Sequence, residues 1–111
     1  MTKLALLNTT ITTTDGLFEV TTLSLEEAKN LFHSYAAGSG VDSAIGHDST
    51  AQLFSTLVEG DVVAHRQMFE QQPGQEALVL KLKGRAPEGV ILTLEQIEEI
   101  GYEFKLMTRL R

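Results

Sequence analysis

The chain contains no cysteine and no tryptophan, only two prolines, and nine lysines and arginines against fifteen aspartates and glutamates. Without cysteine there is no disulfide, no thiolate metal site and no cysteine nucleophile, a usage that fits an intracellular protein. The net charge of −6 argues against long duplex DNA or RNA as the main partner, because such binding neutralises many phosphates with lysine and arginine. A small nucleotide held by a few placed cations and backbone amides stays open. Two tyrosines and five phenylalanines are too few for a broad base-stacking platform. No apolar run is long enough to span a membrane, and Met1-Thr2-Lys3-Leu4 opens a strand-like segment without a signal-peptide pattern, so a cytoplasmic protein is expected. A phosphate-cradling Walker loop, a dinucleotide fingerprint and a serine elbow are all missing.

What is present is a chain of 111 residues, long enough for one core and one domain spanning residues 1–111. Strand-like and helix-like segments alternate. Lys3–Asn8 reads as a strand, followed by the threonine-rich stretch Thr9–Thr14; the alternation of Phe18, Val20 and Thr22 predicts a second strand, as a hairpin partner of the first. Ser24 with Glu27 three residues later is a capping box, and the apolar positions Leu25, Ala28, Phe32 and Tyr35 predict a helix ending near Gly38-Ser39-Gly40. Val41–Ile45 is short and extended. A second helix is expected from Asp48 to about Val58, burying Leu53, Phe54 and Leu57 and ended by Gly60-Asp61. Val62–Phe69 and Ala77–Lys83 read as an antiparallel pair joined at Gln72-Pro73-Gly74-Gln75. Gly84–Gly89 is a loop, Thr93–Ile100 a third helix capped by threonine with Gln96, and Tyr102–Leu110 a last strand. The sum is an α/β domain with a mixed, largely antiparallel sheet flanked by helices.

Chemistry concentrates in Ile45-Gly46-His47-Asp48-Ser49-Thr50. A glycine hands the chain to a histidine, and three helix-starting residues follow. Helix N-termini present unpaired N–H groups and partial positive charge to an anion, and a histidine there gives or takes a proton near neutral pH. On spacing alone the plainer reading is favoured: Asp48, Ser49 or Thr50 caps a helix and His47 is a surface neighbour. The other histidines, His33 and His65, sit at no ligand spacing, so no metal site is expected, and both read as ordinary surface or strand residues. Arg66 alternates with Val62, Ala64 and Met68, so it either snorkels to an edge or meets a buried anion. In Gly84-Arg85-Ala86-Pro87-Glu88-Gly89, Arg85 and Glu88 are read as a solvent ion pair or as a phosphate-holding arginine with its orienting carboxylate. Asn8, at a strand end before two threonines, suits gripping a ribose or base as well as closing a turn.

The ordered set Leu6-Leu7-Asn8, Ala44 to Thr50, Arg66, Arg85 to Gly89 and Thr93-Leu94-Glu95 resembles the small viral anti-CRISPR ring nucleases, a family long catalogued as a domain of unknown function, with relatives beside cellular type III CRISPR systems. The resemblance spans nearly the whole chain, and most of its specificity lies in the Ile-Gly-His-Asp-Ser-Thr run. It implies a homodimer that binds cyclic tetra-adenylate and cleaves it, with no metal or other cofactor, to linear di-adenylate bearing a 2′,3′-cyclic phosphate. That activity would switch off type III CRISPR signalling in the cytoplasm, the host's where the gene is viral. Carried over position by position, the resemblance makes His47, Arg85 and Glu88 catalytic, and Asn8, Gly46, Ser49, Thr50 and Arg66 substrate contacts. The chain departs from the family after Asn8, where Ile11 and Thr13 stand in a region that often carries serine and asparagine ligands. The alternative function is a cyclic-nucleotide sponge or sensor that binds without cleaving.

Overall fold

Leu4–Leu7 are buried along their whole length, the pattern of a strand covered on both faces and paired on both edges. In the computed structural model, which describes residues 2–12, 14–84 and 92–111, that strand (β1) has two parallel neighbours. One is β3, Val41–Ser43. The other is β4, Glu76–Leu82. The expected hairpin between the first two strands does not form. Instead β2, Phe18–Leu23, pairs antiparallel with β5, Tyr102–Arg109, and β5 pairs antiparallel with β4. The reason is burial: β2 is exposed over most of its length and suits an edge, whereas the wholly apolar β1 needs a central position. The sheet runs β2-β5-β4-β1-β3. It is mixed, with the antiparallel ladders the longer ones.

Among the described residues, three helices cover one face. α1, Leu25–Ala36, starts at the reciprocal Ser24–Glu27 capping box and buries Ala28 and Phe32. α2, Asp48–Val58, buries Ala51, Leu53, Phe54, Leu57 and Val58. α3, Leu94–Ile100, starts at the Thr93–Gln96 box and buries Ile97. These side chains close on Leu4, Leu6, Leu78, Leu80 and Phe104. On the opposite face a smaller apolar cluster forms around Ala5, Leu7, Ala77, Val79 and Met107, with Phe18, Ala44 and Phe69 packed against it and no helix among its members.

Two segments depart from expectation. The left-handed residue that ends α2 is Glu59, with φ 55°, not a glycine. Gly60 is needed for a different reason: a Cβ there would run into the Phe32 ring. Residues 61–72 form no strand. They run as a strap beside β3, where His65 N–H donates to the Ile45 carbonyl at 2.8 Å and side chains of Ser43 and Gln67 add further bonds. The Gln72–Gln75 turn does form, with Gly74 at φ +82°, but it leads the strap into β4 rather than closing a hairpin.

At the far end of the sheet the Tyr35 hydroxyl donates to the Glu76 carboxylate at 2.7 Å, tying α1 to the first residue of β4. That hydrogen bond, with some burial, pushes the phenol up to about 12. Because the folded value lies above the unfolded one, this contribution to stability is intact below about pH 10 and is lost as pH rises towards 12. Tyr102 is raised as well, chiefly by burial. In an absorbance titration at a tyrosinate wavelength, Tyr35→Phe is expected to abolish the latest-titrating phenol and leave one. A phenol still ionising near 12 in that variant would contradict the assignment.

Candidate functional site

Since β1, β3 and β4 are parallel, their carboxyl ends share one rim, the customary place for a ligand in an open α/β sheet. Asn8 follows β1 directly. Ala44 extends β3, its N–H bonded to the Leu6 carbonyl at 3.0 Å, and fully buried Ile45 then anchors the turn into α2. With Ile45 held inside, the next residues emerge at the surface. The helix cap falls on His47 itself, not on Asp48, Ser49 or Thr50 as local preference predicts. His47 takes an extended backbone (φ −128°, ψ 132°) and its side chain makes no capping bond. Its carbonyl accepts from Ala51 N–H at 3.1 Å, and the residue is exposed. Local preference was overridden because burying Ile45 sets where the chain turns. The result is an imidazole free at a helix mouth, beside first-turn N–H groups that the cap side chain does not cover.

Arg66 is exposed, so of the two fates considered from the sequence it reaches the surface rather than meeting a buried anion. It lies against Gly46: a Cβ on that glycine would sit 3.6 Å from the Arg66 Nε. Gly46 does not adopt a left-handed backbone; its contribution is the bare surface it offers the guanidinium. Strap and helix mouth thus set Arg66 against Gly46, the residue that precedes His47. Ser49 and Thr50, in the first turn of α2, are partly buried.

Asn8 belongs to a cleft of about 170 Å³ on the sheet face opposite the helices. Leu7, Phe18, Ala44, Phe69 and Met107 supply apolar surface, and Asn8, Thr9, Thr12, Thr14, Gln67 and Gln71 supply amides and hydroxyls. The threonine stretch therefore does line a recess, while Ile11 is largely exposed at its edge (79%). His47, Ser49, Thr50 and Arg66 are not among the residues lining it. The two parts meet through the chain: Ala44 precedes Gly46 by two residues, and Gln67 follows Arg66. Arg85 and Glu88 lie outside the described residues. The chain enters that stretch at Gly84, two residues beyond the carboxyl end of β4, which is the rim that carries Asn8 and His47.

Gln67 escaped notice in the sequence, where it reads as one more position of a strand. Its Nε2 donates to the Ser43 carbonyl at 2.7 Å and to the Asp42 carboxylate at 3.1 Å, and lies 3.2 Å from His65 Nδ1. Buried Ser43 donates its hydroxyl to the Val63 carbonyl at 2.6 Å. His33 also has a partner that spacing could not reveal: its Nε2–H donates to the Val58 carbonyl at 2.8 Å, joining α1 to the end of α2. Among the described residues no three histidine, aspartate or glutamate side chains gather as a metal site, and no helix is long and apolar enough to cross a membrane.

Residues 4–104 match the family described as STIV B116-like. The chain is 33% identical over 108 residues to YddF of Bacillus subtilis, covering 97% of this chain and 98% of that protein. It is 33% identical over 95 residues to ORF117 of Acidianus two-tailed virus, covering 85% and 80% of the two chains, and 34% identical over 85 residues to protein 26 of a Sulfolobus islandicus filamentous virus, covering 76% and 69%. Among solved structures, B116 of Sulfolobus turreted icosahedral virus superimposes with a TM-score of 0.85 at 22% identity, covering 97% of this chain and all of that one.

Proposed function

Given that the chain belongs to the STIV B116-like family, whose members include proteins of archaeal viruses and of a bacterium, we propose that it is a metal-independent ring nuclease that cleaves cyclic tetra-adenylate and so terminates type III CRISPR signalling. The observation that carries this reading is the exposed His47 at the uncapped mouth of α2, with Arg66 lying over the adjacent Gly46. The Ile-Gly-His-Asp-Ser-Thr run that resembles the ring nucleases is the segment that builds this arrangement.

A ribonucleotide carries its own nucleophile. The 2′-hydroxyl gives its proton to water and attacks the adjacent phosphorus, the bond from phosphorus to the 5′-oxygen breaks, and a 2′,3′-cyclic phosphate is left on one product. The protein must align these atoms, stabilise charge on the phosphoryl oxygens and protonate the leaving 5′-oxygen. Arg66 holds a phosphate of the ring, and the first-turn N–H groups near Ser49 supply positive potential for an oxyanion. Arg85, oriented by Glu88, adds a second guanidinium in this reading. His47, as imidazolium, donates the proton to the leaving oxygen, a contribution typically of about 10²- to 10⁴-fold. The cleft beside Asn8 offers an apolar floor and a rim of amides and hydroxyls to an adenine and its ribose. A ring with a two-fold axis suits a two-fold dimer, which would place one His47 at each of two opposite phosphates.

A second reading, binding without cleavage, is favoured by the separation of the cleft lining from His47. One assay decides between them. Incubated with radiolabelled cyclic tetra-adenylate in excess EDTA, the protein is expected to release linear di-adenylate over successive turnovers. Stoichiometric retention of intact ring would leave the sponge standing and overturn the nuclease.

A further inference from the structure

We propose that Gln67 is a positioning residue whose side-chain amide clasps the strap to β3 and thereby holds Arg66 over Gly46. The consequence for ring binding rests on the ring-nuclease reading; the clasp itself does not. The strap has no ladder to fix its register, and Arg66 is bracketed by two tethers. On one side His65 N–H bonds the Ile45 carbonyl at 2.8 Å. On the other, Gln67 Nε2 bonds the Ser43 carbonyl at 2.7 Å and Asp42 Oδ1 at 3.1 Å.

The chemistry of that position selects an amide. A backbone carbonyl, a carboxylate and the His65 Nδ1 all approach the same atom. A carbonyl accepts only, so the amide must turn its NH2 group towards it. A glutamate at this position would set its carboxylate against the Asp42 carboxylate and the Ser43 carbonyl. With both ends of the Arg66 backbone secured, the guanidinium needs to lose only side-chain freedom when it meets a phosphate. Released from Gln67, the strap would carry backbone freedom that binding must then remove.

The test uses the full chain with Gln67→Met, which keeps length and removes both N–H donors, and Gln67→Lys, which returns a donor facing Asp42 and Ser43. In Gln67→Met, KM for cyclic tetra-adenylate is expected to rise about tenfold, the scale of a lost hydrogen bond to a charged group, with kcat within about twofold and Gln67→Lys restoring most of the loss. In an Arg66→Ala background, Gln67→Met should add nothing further, since the two act as one unit. The Gly46 amide resonance, read in ¹H–¹⁵N spectra without ligand, should shift in Gln67→Met as it does in Arg66→Ala and return in Gln67→Lys. Full additivity of the two substitutions, or a Gly46 resonance that ignores Gln67→Met, overturns the clasp. Should the wild-type chain neither bind nor cleave the ring, the nuclease reading falls and the Gly46 resonance alone decides the clasp.

Discussion

His47→Ala is expected to slow single-turnover cleavage of cyclic tetra-adenylate at least about 100-fold while ring binding stays within a few-fold of wild type. The split follows from where the imidazole stands. It is exposed, caps α2 through its backbone alone and makes no side-chain capping bond, so alanine removes a proton donor without removing a structural tie. The cleft, Arg66 and the first-turn amides remain to hold the ring. A leaving 5′-oxygen with no acid beside it departs as an alkoxide, and the barrier rises accordingly. Rapid mixing of excess enzyme with labelled ring measures the chemical step directly, apart from product release. Wild-type cleavage rates in that experiment would remove His47 from the mechanism.

Phe54→Ala should cost about 3–5 kcal/mol of stability, a large share of the roughly 5–15 kcal/mol typical of a whole domain. Phe54 is fully buried near the middle of α2 and meets Phe104 of β5 edge to face, with ring centroids 5.5 Å apart. Alanine there leaves a cavity between α2 and the sheet that surrounding side chains can fill only in part. The residue also bears on the proposed site, because α2 carries His47 at its mouth. Urea unfolding followed by circular dichroism should show a lower midpoint at an unchanged slope. A loss below about 1 kcal/mol, the scale of a volume-conserving swap, would mean that the helix layer repacks freely, and the rigid placement of His47 would need another explanation.

Much of the fold was legible because its signals are local. The Ser24–Glu27 and Thr93–Gln96 boxes each close within four residues, and the observed helices begin there. The apolar spacing of Leu53, Phe54 and Leu57 placed α2 over Asp48–Val58. Gly46 and His47 stood out as a glycine–histidine pair at a helix start. What stayed hidden depends on contacts distant in sequence. Gln67 meets Asp42 and Ser43 across 25 and 24 residues, and nothing near it in the chain announces them. Val62–Phe69 has the alternation of a strand, yet alternation reports only that one side is buried. Whether main-chain groups find a ladder depends on the neighbour, and here side chains of Ser43 and Gln67 take that place.

The chain alone therefore determined an α/β domain, the three helices of the described residues and their starts, and a histidine presented beside a glycine at a helix mouth. Each of these rests on hydrogen bonds and periodicities that span a few residues. Tertiary structure decided which strands pair, that β1 lies between two parallel partners, that the cap is His47 itself, and that Arg66 comes to rest against Gly46. Those outcomes follow from burying Leu4–Leu7 and Ile45 on all sides at once, a condition met only when segments dozens of residues apart pack together.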